Sequence, residues 1–438
     1  MITDQGWSEK LFDFGSATPI EQIMFIALHA GAGFFTEPAE KYCSEALKRA
    51  IAIQQQKRRR ANESDNGTGI SSGTATASAV GGDDDDGPLV DAVMFLERCA
   101  ALNCGLGSNL TVAGTVECEA AYMSSRRMAY GAVAVVTNCV HPIRAAKALA
   151  DPYTNNNSSC CSTALNNASE TGLIQPMVLA GPGADKLCAS LGIGVVPCNE
   201  QLRSDDAVKH FQRAKKLVAS TASATSPNCL NLTDNNSRLD TVGGVAIDPN
   251  GVCEACVSSG GILLKREGRL GHSAQFGAAI WAEQCAAAAA SGDSDGNNDS
   301  NSNISVAVSV SGCGEALTRT HFAEALAQQI LTMDVDDDLA FVQHINHFLE
   351  LNFVRSRRLC AFPPERRLLG GLVAIQQQQR SQNGDAQNIR CRRILLAFHN
   401  SAHFPFAFVG PDQKFRRFMS RGGKDGQFSC TLFPVSDD

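Results

Sequence analysis

A tight turn between two β-prone runs is the feature that most limits how this 438-residue chain can fold. The turn reads Asp248-Pro249-Asn250-Gly251. Proline presets φ at the second turn position, and Asn-Gly tolerates positive φ at the next two. Residues 241–247 and 252–259 flank the turn and are both β-prone. The pattern therefore predicts an antiparallel hairpin.

The register of this hairpin decides which side chain lies opposite Thr241. If Asp248 pairs with Val252, residues whose numbers sum to 500 face each other, and Thr241 lies opposite Ser259. A shift of one residue would put Ser258 there instead. In either register, the first residue of the hairpin has a hydroxyl partner on the opposite strand.

Thr241 is a candidate nucleophile, although its hydroxyl needs a base to remove the proton. No histidine is assigned to that role by its position in the sequence, and no Gly-x-Ser-x-Gly elbow appears between a predicted strand and a predicted helix. A chain break before Thr241 would free an α-amine, with a reference pKa of about 8, that can act as the base. Residues 221–240 are polar and suit such a break. The alternative is that Thr241 only opens a strand.

Two segments that follow the hairpin carry groups suited to substrate binding and catalysis. Arg269 lies between small residues in Gly268-Arg-Leu-Gly271, and its guanidinium can bind a carboxylate through two hydrogen bonds. A surface arginine in a turn is the alternative. Ser311-Gly-Cys-Gly-Glu315 follows a predicted strand and opens a predicted helix. Free N–H groups at such a junction suit a developing oxyanion.

The rest of the chain alternates predicted strands and helices, which indicates an α+β or layered design. We expect strands at 25–29, 131–136, 304–310, 371–375, 393–398 and 407–409, and helices at 37–56 (capped by Thr36), 89–102, 315–331 and 338–351. Four polar segments interrupt this frame, and we expect them to be disordered or flexible: 57–88, 154–169, 203–240 and 291–303.

Composition excludes several classes of protein. The net charge of −7 argues against direct nucleic-acid binding, which needs a basic surplus. No apolar run approaches the roughly 18 residues that span a bilayer, and the first residues do not resemble a secretory signal. The seventeen cysteines are therefore expected to be reduced. The one Cys-x-x-Cys, Cys253–Cys256, falls in a strand that would point its sulfurs to opposite faces, so we expect no metal site.

Taken together, the motifs resemble those of the plant-type asparaginases, which are N-terminal nucleophile hydrolases. Within that family they are most similar to the threonine aspartases (taspases), endopeptidases that cut after aspartate. The resemblance covers roughly residues 23–410. Its motifs are His29–Gly33, Leu102–Leu110, Val116–Glu119, Tyr130–Val133, Asp240–Val245, Val257–Gly261, Gly268–Gly271, Ser311–Glu315 and Leu369–Gly371.

The resemblance implies a four-layer αββα sandwich that is made as one precursor. The precursor would cut itself between Asp240 and Thr241, and the α part (1–240) and the β part (241–438) would stay associated as one domain. By family analogy no cofactor is needed. Whether two such αβ units pair as a dimer stays open.

The resemblance also assigns roles to individual residues. Thr241 would be the nucleophile, positioned or tuned by Ser259. The oxyanion hole would come from Ser311 and Gly312, and Arg269 would bind the substrate aspartate. Two more residues would lie near the site: Asn103 and Gly31.

One departure from the asparaginase pattern bears on the substrate. Asparaginases follow the arginine motif with an Asp that anchors the free α-amine of an amino acid, and here that position is His272. A peptide nitrogen inside a longer chain needs no such anchor, so the change favours an endopeptidase. The alternatives are an asparaginase or isoaspartyl dipeptidase, and a degenerate, non-catalytic family member that acts as a binding scaffold.

Substrates and location are implied by the resemblance alone. The substrates would be proteins with exposed Asp sites, among them nuclear regulators of transcription, and the protein would occur in cytoplasm and nucleus. Two basic stretches are candidates for nuclear import, 209–216 and Lys57–Arg60. Basic clusters are also common on ordinary solvated surfaces, so this role stays open.

Overall fold

The computed structural model describes residues 25–35, 39–65, 86–154, 174–222, 241–285, 302–333, 335–380, 389–422 and 427–435. Five of the sequence predictions fall wholly or largely outside these ranges: the Thr36 cap, the segments 57–88, 154–169 and 291–303, and Asp240 before the expected cleavage site.

The described strands form two sheets, and the protein is a mixed α/β structure. Their bounds are β1 Phe25–His29, β2 Cys118–Ser124, β3 Ala129–Val136, β4 Val178–Ala180, β5 Val242–Ile247, β6 Cys253–Ser259, β7 Ile280–Cys285, β8 Ser302–Gly312, β9 Leu369–Arg380, β10 Ile389–His399, β11 His403–Val409, β12 Phe415–Arg421 and β13 Ser429–Pro434. An eight-stranded sheet has the order β12-β11-β1-β5-β6-β2-β3-β4, and a five-stranded sheet has the order β13-β10-β9-β8-β7. Neighbouring strands are antiparallel except for β3 and β4.

Helices contact both sheets. Those of the described residues are α1 Glu40–Asp65, α2 Pro88–Glu97, α3 Pro142–Thr154, α4 Pro182–Ser190, α5 Asp205–Ala222, α6 Gly314–Thr320, α7 Phe322–Leu331 and α8 Asp338–Leu349. Helices α1, α2 and α3 contact the eight-stranded sheet, whereas α7 and α8 contact the five-stranded sheet. Strands β5 and β6 also contact β7, β8 and β9 across the space between the sheets. One apolar cluster fills that space, and a second lies under α1, α2 and α3.

The predicted hairpin and its register are confirmed. Strands β5 and β6 pair from Val242 with Ser258 to Ile247 with Cys253, so the paired residue numbers sum to 500. Gly251 has a φ of 83°, which the Asn-Gly turn anticipated. Cys253 and Cys256 lie in different apolar clusters, on opposite faces of β6 as expected.

The expected helix at 315–331 is two helices. Helix α6 ends at Thr320 and α7 begins at Phe322, because His321 between them has a left-handed backbone with φ of 48°. The Thr320 hydroxyl donates to the carbonyl oxygens of Ala316 and Leu317, a contact that competes with continued helix. The prediction of one continuous helix was wrong, because no Gly or Pro marks the break.

Two of the segments expected to be disordered or flexible contain helix. Helix α1 continues to Asp65, because the residues after Gln56 are mostly strong helix formers. Helix α5 fills 205–222 of the expected flexible loop 203–240. Its Ala207 and Ala214 are buried, and the Ser204 hydroxyl accepts a hydrogen bond from the Ala207 N–H at 3.1 Å. Among the residues covered by the structure, no helix is long and apolar enough to cross a membrane.

Candidate active site

Thr241 and Ser259 form a buried pair of hydroxyls at the open end of the hairpin. Their Oγ1 and Oγ atoms lie 3.0 Å apart, and each residue is less than 5% exposed. Ser259 Oγ also accepts a hydrogen bond from the Gly261 N–H at 3.0 Å. The predicted cross-strand partner of Thr241 is therefore Ser259 and not Ser258.

Asn103 holds the turn that follows Ser259. Its Nδ2 donates to the Gly261 carbonyl oxygen at 2.8 Å, and its own carbonyl oxygen accepts from the Gly260 N–H at 2.8 Å. Asn109 donates to the same Gly261 oxygen at 2.9 Å. Gly261 has a φ of 66°, which favours glycine at this position. Asn103 thus lies beside the Ser259 turn, within a network that sets the turn's shape.

Ser311 and Gly312 meet the loop after β1. Ser311 Oγ accepts a hydrogen bond from the Ala32 N–H at 3.3 Å, so the end of strand β8 lies next to Gly31, whose φ is 108°. Gly312 has a φ of 149°, and a Cβ there would clash with the Leu368 carbonyl oxygen. The structure therefore brings Gly31, Ser311 and Gly312 to one place.

Arg269 has a guanidinium fork available for a ligand. Its Nε donates to Glu315 Oε1 at 2.8 Å, whereas Nη1 and Nη2 have no hydrogen-bond partner among the described residues. A Cβ added at Gly261 would lie 3.0 Å from Nη1, and one added at Gly314 would lie 3.0 Å from Nη2. The fork thus lies between the Ser259 turn and the start of α6. Burial disfavours its charge, but Glu315 and then Glu119 raise the pKa of Arg269 above its ordinary value.

An open cavity adjoins Arg269. It has a volume of about 520 Å³ and is lined by Ile262, Leu264, Lys265, Arg266, Glu267, Gly268 and Arg269. Thr241 does not line it. The cavity therefore offers space beside the arginine and apart from the hydroxyl pair.

Lys265 and Glu119 hold the arginine loop in place. Neither was assigned a role from the sequence, although Glu119 belongs to the motif Val116–Glu119. The Lys265 ammonium donates to the Glu117 carbonyl oxygen and, at 2.7 Å, to that of Gly260. Glu119 Oε2 accepts from the Gly271 N–H at 2.6 Å. Burial lowers the pKa of Lys265 and raises that of Glu119. The signal for Glu119 was an acidic residue inside an otherwise apolar strand.

His272 lies beside this loop and is 4% exposed. Its Nε2 has no hydrogen-bond partner within the described part of the chain. Burial lowers the pKa of His272 to about 4, and the positive charge of Arg269 acts in the same direction. The side chain is therefore uncharged near pH 7.

Comparison with known proteins finds similarity to the asparaginase family. The model of the asparaginase family (Asparaginase_2) matches residues 47–156 and 173–301. An isoaspartyl peptidase/L-asparaginase of Mus musculus is 29% identical over 192 residues, which cover 44% of this chain and 49% of the mouse protein.

Relatives from a bacterium and a plant show a similar likeness. An isoaspartyl peptidase of Salmonella typhimurium is 28% identical over 211 residues, 47% of this chain and 58% of that protein. A probable isoaspartyl peptidase/L-asparaginase of Arabidopsis thaliana is 30% identical over 203 residues, 43% of this chain and 56% of the plant protein. The chain thus spans about half the length of the curated relatives it matches.

Proposed function

Because the chain belongs to the asparaginase family of N-terminal nucleophile hydrolases, we propose that it is a self-processing, threonine-type endopeptidase that hydrolyses peptide bonds after Asp. The observation that carries the proposal is the buried contact of 3.0 Å between the hydroxyls of Thr241 and Ser259. A hydroxyl in such a contact is oriented, and Thr241 is also the residue whose own α-amine becomes a base once the preceding bond opens.

The proposed self-cleavage uses Thr241 within the uncut chain. Its Oγ1 attacks the carbonyl carbon of Asp240, the C–N bond to Thr241 breaks, and the acyl group moves to the oxygen as an ester. The nitrogen takes up the proton that the hydroxyl lost. Water then hydrolyses the ester, which leaves a carboxylate on Asp240 and a free α-amine on Thr241. The proposed products are an α part (1–240) and a β part (241–438).

The proposed turnover repeats this chemistry on a second polypeptide. The Thr241 α-amine takes the proton from Oγ1, and the oxygen attacks the main-chain carbonyl carbon of the substrate Asp. Ser311 and Gly312 are proposed to stabilise the oxyanion, with Gly31 beside them and Asn103 holding the Ser259 turn. The departing peptide nitrogen receives the proton, and water then releases the acyl group from Thr241.

Substrate choice is proposed to depend on Arg269 and His272. The free fork of Arg269 suits a carboxylate, which supports aspartate as the recognised side chain. His272 stands where asparaginases have the Asp that anchors a free ammonium group. Because it is buried and uncharged near pH 7, it offers that ammonium no charge partner. A peptide nitrogen within a longer substrate chain carries no charge, so it does not need such a partner.

A second candidate function is that of an isoaspartyl peptidase or L-asparaginase. The names of the matched relatives favour it. It shares the nucleophile and the arginine with the first candidate, so the two differ mainly in what accepts the substrate's amino group.

Architecture, partners and location complete the proposal. We propose an αββα layer order, which is supported by helices that contact each sheet and by strands that contact each other between the sheets. The proposed substrates are transcription regulators with exposed Asp sites, met in nucleus and cytoplasm. The basic residues at 209–216 lie on helix α5, and most are exposed, as an import signal requires. Pairing of two αβ units is a further proposal.

The test compares wild type, Thr241→Ala and the control Thr332→Ala on denaturing gels with intact mass. Wild type and the control, whose hydroxyl only contacts the end of α7, should yield two fragments, and Thr241→Ala should stay whole. A stable, uncut wild type would support the binding-scaffold alternative instead. Cut protein is then given an Asp-containing peptide or asparagine. Peptide cleavage without ammonia release supports the endopeptidase, and ammonia release from asparagine supports the second candidate.

A further inference from the structure

A histidine crosses the space between the two sheets next to the candidate site. His29, the last residue of β1, is fully buried, and its Nε2 lies 2.9 Å from Ser309 Oγ on β8 of the other sheet. Ser309 Oγ in turn donates to the Cys256 carbonyl oxygen on β6 at 3.0 Å. Three strands from two sheets are thus joined by one short chain of hydrogen bonds.

The chemistry of these groups decides where the hydrogens lie. A carbonyl oxygen only accepts, so the single hydroxyl hydrogen of Ser309 is used on Cys256. Both hydrogen bonds exist together only if His29 Nε2 carries a hydrogen and donates it to Ser309 Oγ. The two hydrogen bonds together therefore require the Nε2–H tautomer of His29.

The sequence leaves room for this contact at Gly243. Gly243 pairs with His29 across β1 and β5. A Cβ at Gly243 would lie 2.8 Å from His29 Nε2 and would clash with Ser309 Oγ. The absence of a side chain in the second residue after Thr241 is what lets the imidazole reach the other sheet.

Each of the three residues joined by these hydrogen bonds precedes a residue of the candidate site by two or three positions. His29 precedes Gly31, Cys256 precedes Ser259, and Ser309 precedes Ser311. Ser309 and Ser311 also lie on the same face of β8, because side chains alternate along a strand. The hydrogen bonds therefore set the spacing of the three strand ends that carry the candidate groups.

We infer that His29 is a positioning residue: through Ser309 it holds strands β1, β6 and β8, which carry Gly31, Ser259 and Ser311 at their ends, at the separation that the reaction needs. The inference rests on the proposed function. His29 is not assigned a proton-transfer role, because burial, followed by the nearby His272, lowers its pKa to about 3. The backbone of Thr241 acts in the opposite direction without outweighing burial. The ring thus stays uncharged across the working range.

The experiment uses the full chain and four variants. His29→Phe keeps a ring to stack on Phe404, 5.6 Å away, but has no donor, and Ser309→Ala removes the other partner. His29→Gln keeps a donor near the place of Nε2. Ser305→Ala is the matched control, because Ser305 is buried on the same face of β8 but is not part of the chain of hydrogen bonds.

We expect His29→Phe and Ser309→Ala to slow self-cleavage and to lower kcat for an Asp-containing peptide by about 10-fold or more, with KM within about two-fold of wild type. His29→Gln should recover most of the rate, and Ser305→Ala should match wild type. The pH profile of His29→Gln should coincide with that of wild type.

Several results would overturn the inference. Wild-type rates in both His29→Phe and Ser309→Ala would remove any positioning role. A pH profile that shifts in His29→Gln would instead make His29 a proton-transfer group. An equal loss of self-cleavage rate and kcat in Ser305→Ala would show that the effect comes from the general packing of β8 and not from the hydrogen bond of His29. If wild type itself neither cuts nor hydrolyses, the proposed function fails first, and the inference falls with it.

Discussion

The two sheets meet in two regions of opposite character. Between β11, β12 and β13, phenylalanines make the contact: the ring of Phe418 lies 4.8 Å from that of Phe433 and 5.1 Å from that of Phe406. Near Thr241 the contact is made by an imidazole and a hydroxyl, His29 Nε2 on β1 and Ser309 Oγ on β8, which lie 2.9 Å apart. The Thr241–Ser259 pair of the eight-stranded sheet belongs to the same polar region.

The aromatic region contributes mainly to the stability of the fold, whereas the polar region fixes the distances between groups of the candidate site. Aromatic burial contributes several kcal/mol and tolerates small shifts, because it is not directional. A hydrogen bond contributes only about 1 kcal/mol net, but it fixes distance and angle. We expect substitutions in the aromatic region to change the free energy of unfolding, and substitutions in the polar region to change rates.

Thr241→Ala should have the largest effect in the polar region. Self-cleavage and peptide hydrolysis should fall by at least about 1,000-fold, because the attacking oxygen is removed. The melting temperature should stay close to that of an uncut chain. Intact mass and a peptide assay measure the activity, and calorimetry measures the stability. Residual cleavage at an undiminished rate would show that another group attacks.

Phe406→Ala should have the largest effect in the aromatic region. Phe406 is 1% exposed and packs on Phe418 and Phe433, so the loss in the free energy of unfolding should be about 3–5 kcal/mol. Denaturant titration measures it. Phe415→Ala on neighbouring β12 is the control, because Phe415 is 37% exposed and should cost far less. Equal losses in both variants would contradict the contrast between the regions.

Arg269→Lys should lower peptide turnover by about 10-fold or more, because a point charge replaces a planar fork. The free energy of unfolding should change little by comparison. Arg266→Lys is the matched control, since Arg266 lines the same cavity but is exposed. Turnover that is unchanged in Arg269→Lys would remove Arg269 from the substrate site.

A further expected effect, on the pH dependence of stability, concerns His399, which stacks on Phe404. Burial lowers the pKa of His399 to about 4, although its contact with the Ser401 carbonyl oxygen opposes this. Below a pH of about 6.5 the unfolded chain binds a proton here that the folded chain does not, so stability falls as pH falls toward about 4.

The slope from His399 is at most about 1.4 kcal/mol per pH unit. His399→Gln should remove this part of the pH dependence, measured by urea titration from pH 7.5 to 4.5. His344→Gln, an exposed position on α8, is the control. A variant that loses stability with pH as steeply as wild type would contradict the assignment of His399.

The sequence predicted the parts of the fold that depend on residues close together in the chain. The hairpin register follows from the Asp-Pro-Asn-Gly turn, and β1 has the predicted bounds because its apolar run is short. Helix α5 was missed because a surface helix buries few residues, so its composition resembles that of a loop.

Local sequence pattern predicted contacts of the candidate site only where the partners are close in the sequence, whereas Gly31, Ser311 and Gly312 were named from the family resemblance. Thr241 and Ser259 are joined through the hairpin, and the structure brings them together as expected. The contact between His29 and Ser309 was not visible in the sequence, because the two residues lie 280 positions apart. Lys265 was missed for a similar reason, since one of its partners is the backbone of Glu117.

N-terminal sequencing of the smaller fragment from purified, full-length protein tests the central claim most directly. We expect a single new terminus that reads Thr-Val-Gly-Gly-Val and begins at Thr241. A new terminus at any other residue, or only the initiator methionine of an uncut chain, would contradict it.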